Sequence, residues 1–388
     1  MTGPTEKLKA YALSLGFDLV GITSANPLDE DVQRLGSWLR QGFAGEMAYL
    51  ERDADRRGDP RALMSEARSV ISLALNYYTG YPGAQERDHS TRSKVARYAW
   101  GEDYHRIIEE KLRGLVTYIE GLGGRCARGR GDIDHGPILE RALARRAGLG
   151  FIGKNTHLIT HEFGSWVFLA EVITDLELLP DRPLEGKSDG CGSCRLCLDA
   201  CPTGALVEPY QLDARSCISY WTIEQKGPIP TPVRPQLGEW GFGCDICQEV
   251  CPYNFQPVET REERLGADRG LGRSLDHLRE DWRDGLSRSA LSRAKPRGIL
   301  RNLAVAMGNR ADEEDLPRLI KMLEESDPLI REHVIWAIAE IRRKRVVAAA
   351  LESVPPGIEN RREGESRLPL FLPQRADSPG SRAEDEAI

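Results

Sequence analysis

CGSCRLCLDACPTGAL (191–206) places four cysteines in sixteen positions at C-x2-C-x2-C-x3-C-P spacing. This is the bacterial two-cluster run, in which three thiolates wrap the chain around one 4Fe–4S cube and the fourth reaches a second cube. The proline ends the wrap, and a helix is expected to start at GAL (204–206). Cys244, Cys247 and Cys251-Pro252 form a second group, a C-x2-C-x3-C-P with one cysteine missing. Two cubes need eight thiolates; the two groups supply seven, and Cys217 in RSCISYW is the natural eighth, leaving Cys126 over. The spacing assigns Cys191, Cys194, Cys197 and Cys251 to one cluster, and Cys201, Cys217, Cys244 and Cys247 to the other. Zinc is the competing reading, because C-x2-C pairs also build structural zinc sites. It accounts badly for the three-in-seven spacing and for both Cys-Pro endings. For Cys217 alone the alternative is a small buried hydrophobe. Two adjacent clusters make a one-electron relay, which needs a source and a consumer.

The rest of the chain bounds what that consumer is. With 388 residues, 40% hydrophobic and 29% charged, this is an ordinary globular composition with room for two or three domains. Its longest apolar runs, SVISLALNYY (69–78) and LAVAMG (303–308), are too short to span a bilayer. MTGPTEKLKAYALSLG has no signal-peptide core, so a cytoplasmic location with reduced thiols is expected, where clustered cysteines bind metal. The net charge of −7 argues against indiscriminate coating of nucleic acid but leaves room for one basic face.

Helical and strand signals alternate over residues 1–184. EKLKAYALSLG (6–16) and DYHRIIEEKLRGLVTYIEGLGG (103–124, with Asp103 as N-cap) read as helices. So does PILERALARRAG (137–148), opened by Pro137 and stopped by Gly148. DLVGITS (18–24), SVISLALNYY (69–78) and SWVFLAEVITDLEL (165–178) read as strands. The expected class is α+β: an α/β-type domain over 1–184, a ferredoxin-like two-cluster domain over 185–260, and an all-α region over 261–352. In that last region GILRNLAVAMGN (298–309) and LIREHVIWAIAEI (329–341) resemble one another at an offset of 30–31 residues, as in a short HEAT-like array. Residues 353–388, rich in Pro, Arg, Glu, Ser and Gly, are expected to be a disordered tail.

GLGFIG (148–153) matches the dinucleotide fingerprint in letters only. It follows a helix and precedes the strand-like THLIT, the reverse of the required order. Close approach to a large ligand and a plain helix C-cap with a turn both remain open there. Upstream, Asp134 of GDIDHGPILE sits before a helix, where capping is its commonest role. In a pocket, burial would raise its pKa and suit it to general-acid work. His135 beside it adds little.

DHGPILER (134–141), GLGFIGKNTHLI (148–159), the 191–206 run, RSCISYWTIE (215–224) and GCDICQEVCP (243–252) together resemble the epoxyqueuosine reductase family. RYAWGEDYH (97–105) and RNLAVAMGN (301–309) extend the likeness over nearly the whole chain. The resemblance implies a cobalamin-binding catalytic domain ahead of the two-cluster domain, and a C-terminal HEAT-like, tRNA-binding region. It implies removal of the epoxide oxygen from epoxyqueuosine at the tRNA anticodon, with electrons passing through two 4Fe–4S clusters to cobalamin. Asp134 falls on the family's proton donor. Cobalamin is expected base-off without a protein histidine, consistent with the lack of a D-x-H-x-x-G sequence. Arg57, Arg97, Lys154, Asn155, Glu171 and Ser219 are the cobalamin contacts the family pattern implies.

A tRNA substrate asks for a basic face, and LSRSALSRAKPRGILRN (286–302) carries five cations and no acid. Lys295, Arg297, Arg301 and Asn302 are the expected tRNA contacts, against the alternative of a solvated basic linker. An external low-potential electron donor, a monomeric chain and no membrane complete the expectation. Two rivals stand beside it: a corrinoid and iron–sulfur reductase of another substrate, dehalogenase-like, and a non-catalytic ferredoxin-type electron carrier.

Overall fold

The computed structural model describes residues 3–80, 93–125, 136–183, 190–266, 275, 285–325 and 327–352. Along the chain run α1 (Pro4–Ser14), β1 (Leu19–Ser24), α2 (Asp29–Arg40), β2 (Ser69–Asn76), β3 (Lys94–Val95) and α3 (Tyr104–Gly121). Then come α4 (Glu140–Arg146), β4 (Phe151–Ile152), β5 (Leu158–Ile159), β6 (Val167–Thr174), α5 (Leu196–Ala200), β7 (Leu206–Glu208) and β8 (Gln211–Leu212). The last are β9 (Trp240–Phe242), α6 (Ile246–Glu249) and the helices α7 (Lys295–Arg310), α8 (Leu316–Met322) and α9 (Pro328–Glu352). By its contacts the chain divides into a unit Met1–Arg345 and a unit Val346–Ile388, and all that follows concerns the first.

The three expected strands form one antiparallel sheet in the order β1-β2-β6. The continuous apolar run of β2 is buried along its whole length, because both of its faces are covered. Ile71, Leu73 and Leu75 pack with Leu8 of α1 and with Ile107, Leu115 and Ile119 of α3. On the opposite face Val70 meets Ala142 and Leu143 of α4, and Ala74 meets Ala144 and Ala147. Gly21 lets α4 close on β1, since a Cβ there would lie 2.3 Å from the Ala147 carbonyl oxygen. Asp103 caps α3 as expected, accepting from the His105 N–H at 3.1 Å. β3 pairs in parallel with β9, so the N-terminal and cysteine-bearing segments share a sheet.

Two local expectations are corrected and one open reading is narrowed. The helix does not open at Pro137: Arg57 ties down the Gly136 carbonyl at 3.3 Å, and the Leu139 N–H donates to the Arg57 carbonyl at 3.1 Å. With those groups engaged outward, helical bonding starts only at Glu140. No helix follows Pro202 either. The Asp213 N–H takes the Ala205 carbonyl at 2.8 Å, and Leu206–Glu208 pairs with β8 as a strand. In GLGFIG, Gly148 is the left-handed helix stop (φ 79°), and a Cβ on Gly150 would lie 2.2 Å from the Ile159 carbonyl. The loop's glycines are thus accounted for by its own turn and hairpin, the helix C-cap reading of the two that the sequence leaves open.

The C-terminal part of this unit is helical, with α7 meeting α9 where Gly308 faces Ala337. Among the described residues no helix is long and apolar enough to cross a membrane. His333 of α9 is fully buried, accepting at Nε2 from the Ile229 N–H (3.1 Å) while Nδ1 faces the Leu329 carbonyl (2.7 Å). That fixes the Nδ1–H tautomer, and burial lowers its pKa to about 4. The unfolded state therefore takes up the proton first as pH falls from 6.5 toward 4. Stability is full above 6.5 and is lost through that window, by up to roughly 3 kcal/mol. Urea unfolding of His333→Gln should show a shallower loss between pH 7.5 and 5.5 than the parent. An unchanged slope would remove His333 as a cause.

Candidate functional site

The cysteine runs are held by short helices. Burial pushes the Cys251 thiol up to about 11, with Cys191, Cys197 and Cys194 as the charged neighbours adding to it. Burial likewise raises Cys197, and Cys191 and Cys194 reinforce it. In the other group burial raises Cys244, with Cys217 and Cys201 adding, and it holds Cys247 well above the ordinary range, with Cys244 and Cys217 adding. Burial raises Cys217 too, with Cys201 nearby. The weakest neighbour of Cys247, Cys197, belongs to the first group, so the two groups adjoin. Cys191, Cys194, Cys197 and Cys251 thus line one cavity, and Cys201, Cys217, Cys244 and Cys247 lie near enough to influence one another, although among the described residues neither group is drawn close enough to hold a single metal ion. Buried thiols of this kind lose their protons readily only to a bound metal.

A cavity of about 240 Å³ opens among Cys191, Cys194, Cys197 and Cys251, against Lys154 and Asn155. The Lys154 N–H donates to Cys191 Sγ at 3.3 Å, and its Nζ donates to the carbonyls of Gly192 (2.7 Å) and Cys194 (2.8 Å). Buried Asn155 donates to the Cys247 carbonyl at 3.3 Å, so one turn grips both cysteine loops. Asn254 ties the second loop to the sheet, donating to Ser165 Oγ and the Gln248 carbonyl, both at 2.8 Å.

A second cavity, of about 1360 Å³, exceeds the roughly 300–1,000 Å³ of ordinary small-molecule pockets. Its walls are α2, the head of α3, the β4–β5 hairpin and Tyr210. Arg34, Arg52, Arg57, Arg141, Arg145 and Arg293 line it against the acids Asp31, Glu140 and Glu224, a net positive wall on a chain of −7. Asp31 holds Arg145 at 2.9 Å and Arg34 at 3.3 Å, and Glu224 holds Arg293 at 2.9 Å. Arg57 donates to the Tyr49 carbonyl at 2.7 Å, while its buried Nε has no partner among the described residues. The Tyr210 N–H donates to the Lys154 carbonyl at 3.0 Å, and the Tyr210 hydroxyl is raised by burial and then by the Cys191 charge. Tyr210 and the hairpin thus stand between this cavity and the cysteines.

Of the six expected cobalamin contacts, Arg57 alone lines the large cavity. Lys154 and Asn155 line the cysteine cavity, and Ser219 lies beside Cys217, whose thiol it helps hold down against burial. Arg97 is buried, its guanidinium 4.4 Å from the rings of Tyr78 and Trp100 and 5.3 Å from that of Trp166. Its backbone N–H donates to Asp245 at 2.7 Å, a carboxyl that burial raises to about 7. Glu171 is buried in β6 opposite Ser72. These two are placed by the core rather than by the cavity wall.

The expected tRNA contacts divide as well. Lys295 is exposed at the head of α7, and Arg297 is half-exposed and paired with Asp327 at 2.6 Å. Arg301 and Asn302 are corrected, being 0% and 1% exposed. Arg301 donates to the carbonyls of Gln225 (2.8 Å), Gly227 (2.6 Å) and Trp221 (2.7 Å), and to Asn302 Oδ1. Asn302 donates to the carbonyls of Thr222 (2.7 Å) and Gly241 (2.8 Å). The reason is the π turn Tyr220–Glu224 that follows Cys217: it leaves carbonyls outside regular pairing, and a buried acceptor needs a donor. Asp134, His135 and Cys126 lie outside the described residues, as does the 353–388 tail. Sequence reasoning missed His105 and Tyr210 on the cavity wall and took Arg293 only as part of the basic run 286–302; the Asp103–His105 spacing at a helix head was the one signal for the first.

Residues 57–134 match the family described as "Epoxyqueuosine reductase QueG, DUF1730", and 190–254 match the "4Fe-4S double cluster binding domain". An epoxyqueuosine reductase of Cellulophaga algicola is 41% identical over 307 residues, covering 77% of this chain and 96% of its own. A crystal structure of epoxyqueuosine reductase with an epoxyqueuosine-modified tRNA-Tyr stem loop is similar with TM-score 0.79 and 34% identity, covering 90% of this chain and 94% of that one. One from Bacillus subtilis, with its catalytic aspartate loop swung out of the active site, has TM-score 0.77 and 34% identity over the same shares, 90% and 94%.

Proposed function

The chain belongs to the epoxyqueuosine reductase family, and from that premise we propose how its residues convert epoxyqueuosine in tRNA to queuosine. It is an oxidoreductase. The observation that carries the reading is a wall with two faces. The β4–β5 hairpin lines the large cavity with Phe151, Ile152 and Thr156, and the cysteine cavity with Lys154 and Asn155. Electrons leaving the cysteine side cross one hairpin to reach the chamber. A carrier that only relayed electrons would have no use for a 1360 Å³ chamber.

Two 4Fe–4S clusters fit the donor set: Cys191, Cys194, Cys197 and Cys251 for one, Cys201, Cys217, Cys244 and Cys247 for the other. The mutual influence of the thiols within each set supports this division. Cobalamin fits the large cavity, whose arginines suit the phosphate and amide groups of a corrinoid and whose Arg57 Nε is a buried donor without a partner among the described residues. When bound, cobalamin supplies a low-potential metal centre capable of reductive C–O cleavage. The protein's own part is to exclude water, orient the nucleoside and provide acid. Asp134 is the proton donor in this reading, supported by its place at the end of the matched family segment. The reading includes an external low-potential electron donor and a chain acting as a monomer.

The test is anaerobic reconstitution with iron, sulfide and cobalamin, then assay on an epoxyqueuosine stem loop. About eight irons and one corrin per chain, with queuosine formed, are expected. Zinc in place of iron, or no corrin uptake, would overturn it. Asp134→Asn should keep corrin and stem-loop binding and slow turnover by roughly 10²–10⁴; near-normal turnover removes Asp134 from the role.

The RNA backbone then meets the exposed cations around the chamber mouth and α7. Arg52 on the cavity wall has no partner among the described residues, and Lys295 is exposed. Arg297 adds a cation that a phosphate shares with Asp327. Arg52→Glu and Lys295→Glu should each weaken stem-loop binding and flatten its log–log salt dependence by about 0.7–1. Titrations between 50 and 200 mM salt with unchanged slopes would place the backbone elsewhere.

A further inference from the structure

Removing an epoxide oxygen to leave an alkene consumes two electrons and two protons. One proton reaches the oxygen as the first C–O bond breaks. The second reaches the resulting hydroxyl as the other C–O bond breaks, the C=C bond forms and water departs. The electron pair comes from the external reductant through the clusters. Asp134 accounts for one proton only.

We propose that His105 donates the second proton, from Nε2, in the same chamber. This rests on the reading above and extends it. His105 lines the large cavity at the head of α3. Its Nδ1 lies 2.7 Å from Asp103 Oδ1, and a carboxylate only accepts, so Nδ1 carries the hydrogen and proton traffic runs through Nε2. Asp103 is itself held: it caps α3 through the His105 N–H at 3.1 Å, and its own N–H donates to the Arg288 carbonyl at 2.9 Å. The imidazole stacks on Tyr104 with ring centres 4.1 Å apart, and Tyr104 stacks on Phe168 of β6 at 4.1 Å and 7°. A ring fixed at one edge by a carboxylate and on one face by a stack anchored in the sheet has lost its rotamer freedom. Such fixing is what an acid needs to deliver a proton at one point. The His105 side chain is 29% exposed, enough for a substrate to reach.

Single-turnover conversion of an epoxyqueuosine stem loop by the reduced, reconstituted protein tests this, with stem-loop Kd and Tm measured alongside. His105→Gln should slow conversion about 100-fold or more, with Kd within about threefold of the parent. Asp103→Asn keeps a cap and an acceptor but loses the charge, and should slow conversion about tenfold. A His105→Gln rate within about threefold of the parent, or a loss matched by weakened binding, overturns the proposal. Should His105→Gln not fold, Asp103→Asn decides: slowed conversion at unchanged Tm supports the assignment, and the parent's rate overturns it. If the parent protein itself leaves epoxyqueuosine unchanged, the wider reading fails, and this one with it.

Discussion

Cys191→Ala combined with Cys251→Ala should leave about four irons per chain, half the content of the parent protein. Turnover should fall to background, because the cysteine group behind the Lys154 turn is lost. The double variant separates two ways of wiring eight cysteines. If each run held its own cluster, Cys191 would serve one and Cys251 the other, and iron would fall to nearly nothing. Crossed ligation puts both in one cluster and spares its neighbour. The structure supports crossing. Cys251 lines the same 240 Å³ cavity as Cys191, Cys194 and Cys197, and those three are the charges its thiol feels. Cys201 instead influences Cys217 and Cys244. Iron analysis and electron paramagnetic resonance after anaerobic reconstitution measure the outcome directly. Near-zero iron would return the assignment to sequential runs.

The legible part of this protein was local. Three ligands in seven residues announce a cluster because one stretch of chain must wrap one cube. The buried strand β2 announces itself because both of its faces are apolar. The cysteine spacing is also the source of the crossed-ligation expectation, which the double variant tests. The chamber was not legible. Its wall draws on α2, the head of α3, the hairpin, Tyr210 and Arg293, and no short window of sequence contains that set. Lys154 and Asn155 line the cysteine cavity while Phe151, Ile152 and Thr156 line the large one, because the hairpin has two faces and the sequence does not say which residue takes which. Pro137 misled for a similar reason. A proline is suited to a first helical turn, but Arg57, 79 residues before Gly136, claims the adjoining backbone groups.

The basic run 286–302 misled most, and Arg301 carries the second large prediction. Arg301→Met should destabilise the protein by about 3–5 kcal/mol and strip the cluster that includes Cys217. Methionine fills most of the volume but donates nothing, leaving the carbonyls of Trp221, Gln225 and Gly227 buried without the donors they now have. Burial lowers the Arg301 pKa to about 10, with the nearby Arg297 charge adding, so this cation is costly to keep and, among the described residues, is held by hydrogen bonds. Lysine is no substitute, because one ammonium cannot span a fork whose Nε and both terminal nitrogens are all engaged. Arg297, four residues earlier and half-exposed, is the contrast: Arg297→Glu should change stability by less than about 1 kcal/mol. Urea unfolding and iron content distinguish the two sites. If Arg301→Met kept parental stability and eight irons while binding the stem loop weakly, Arg301 would be a phosphate contact after all. The donors that now hold the Cys217 turn would then have to come from elsewhere.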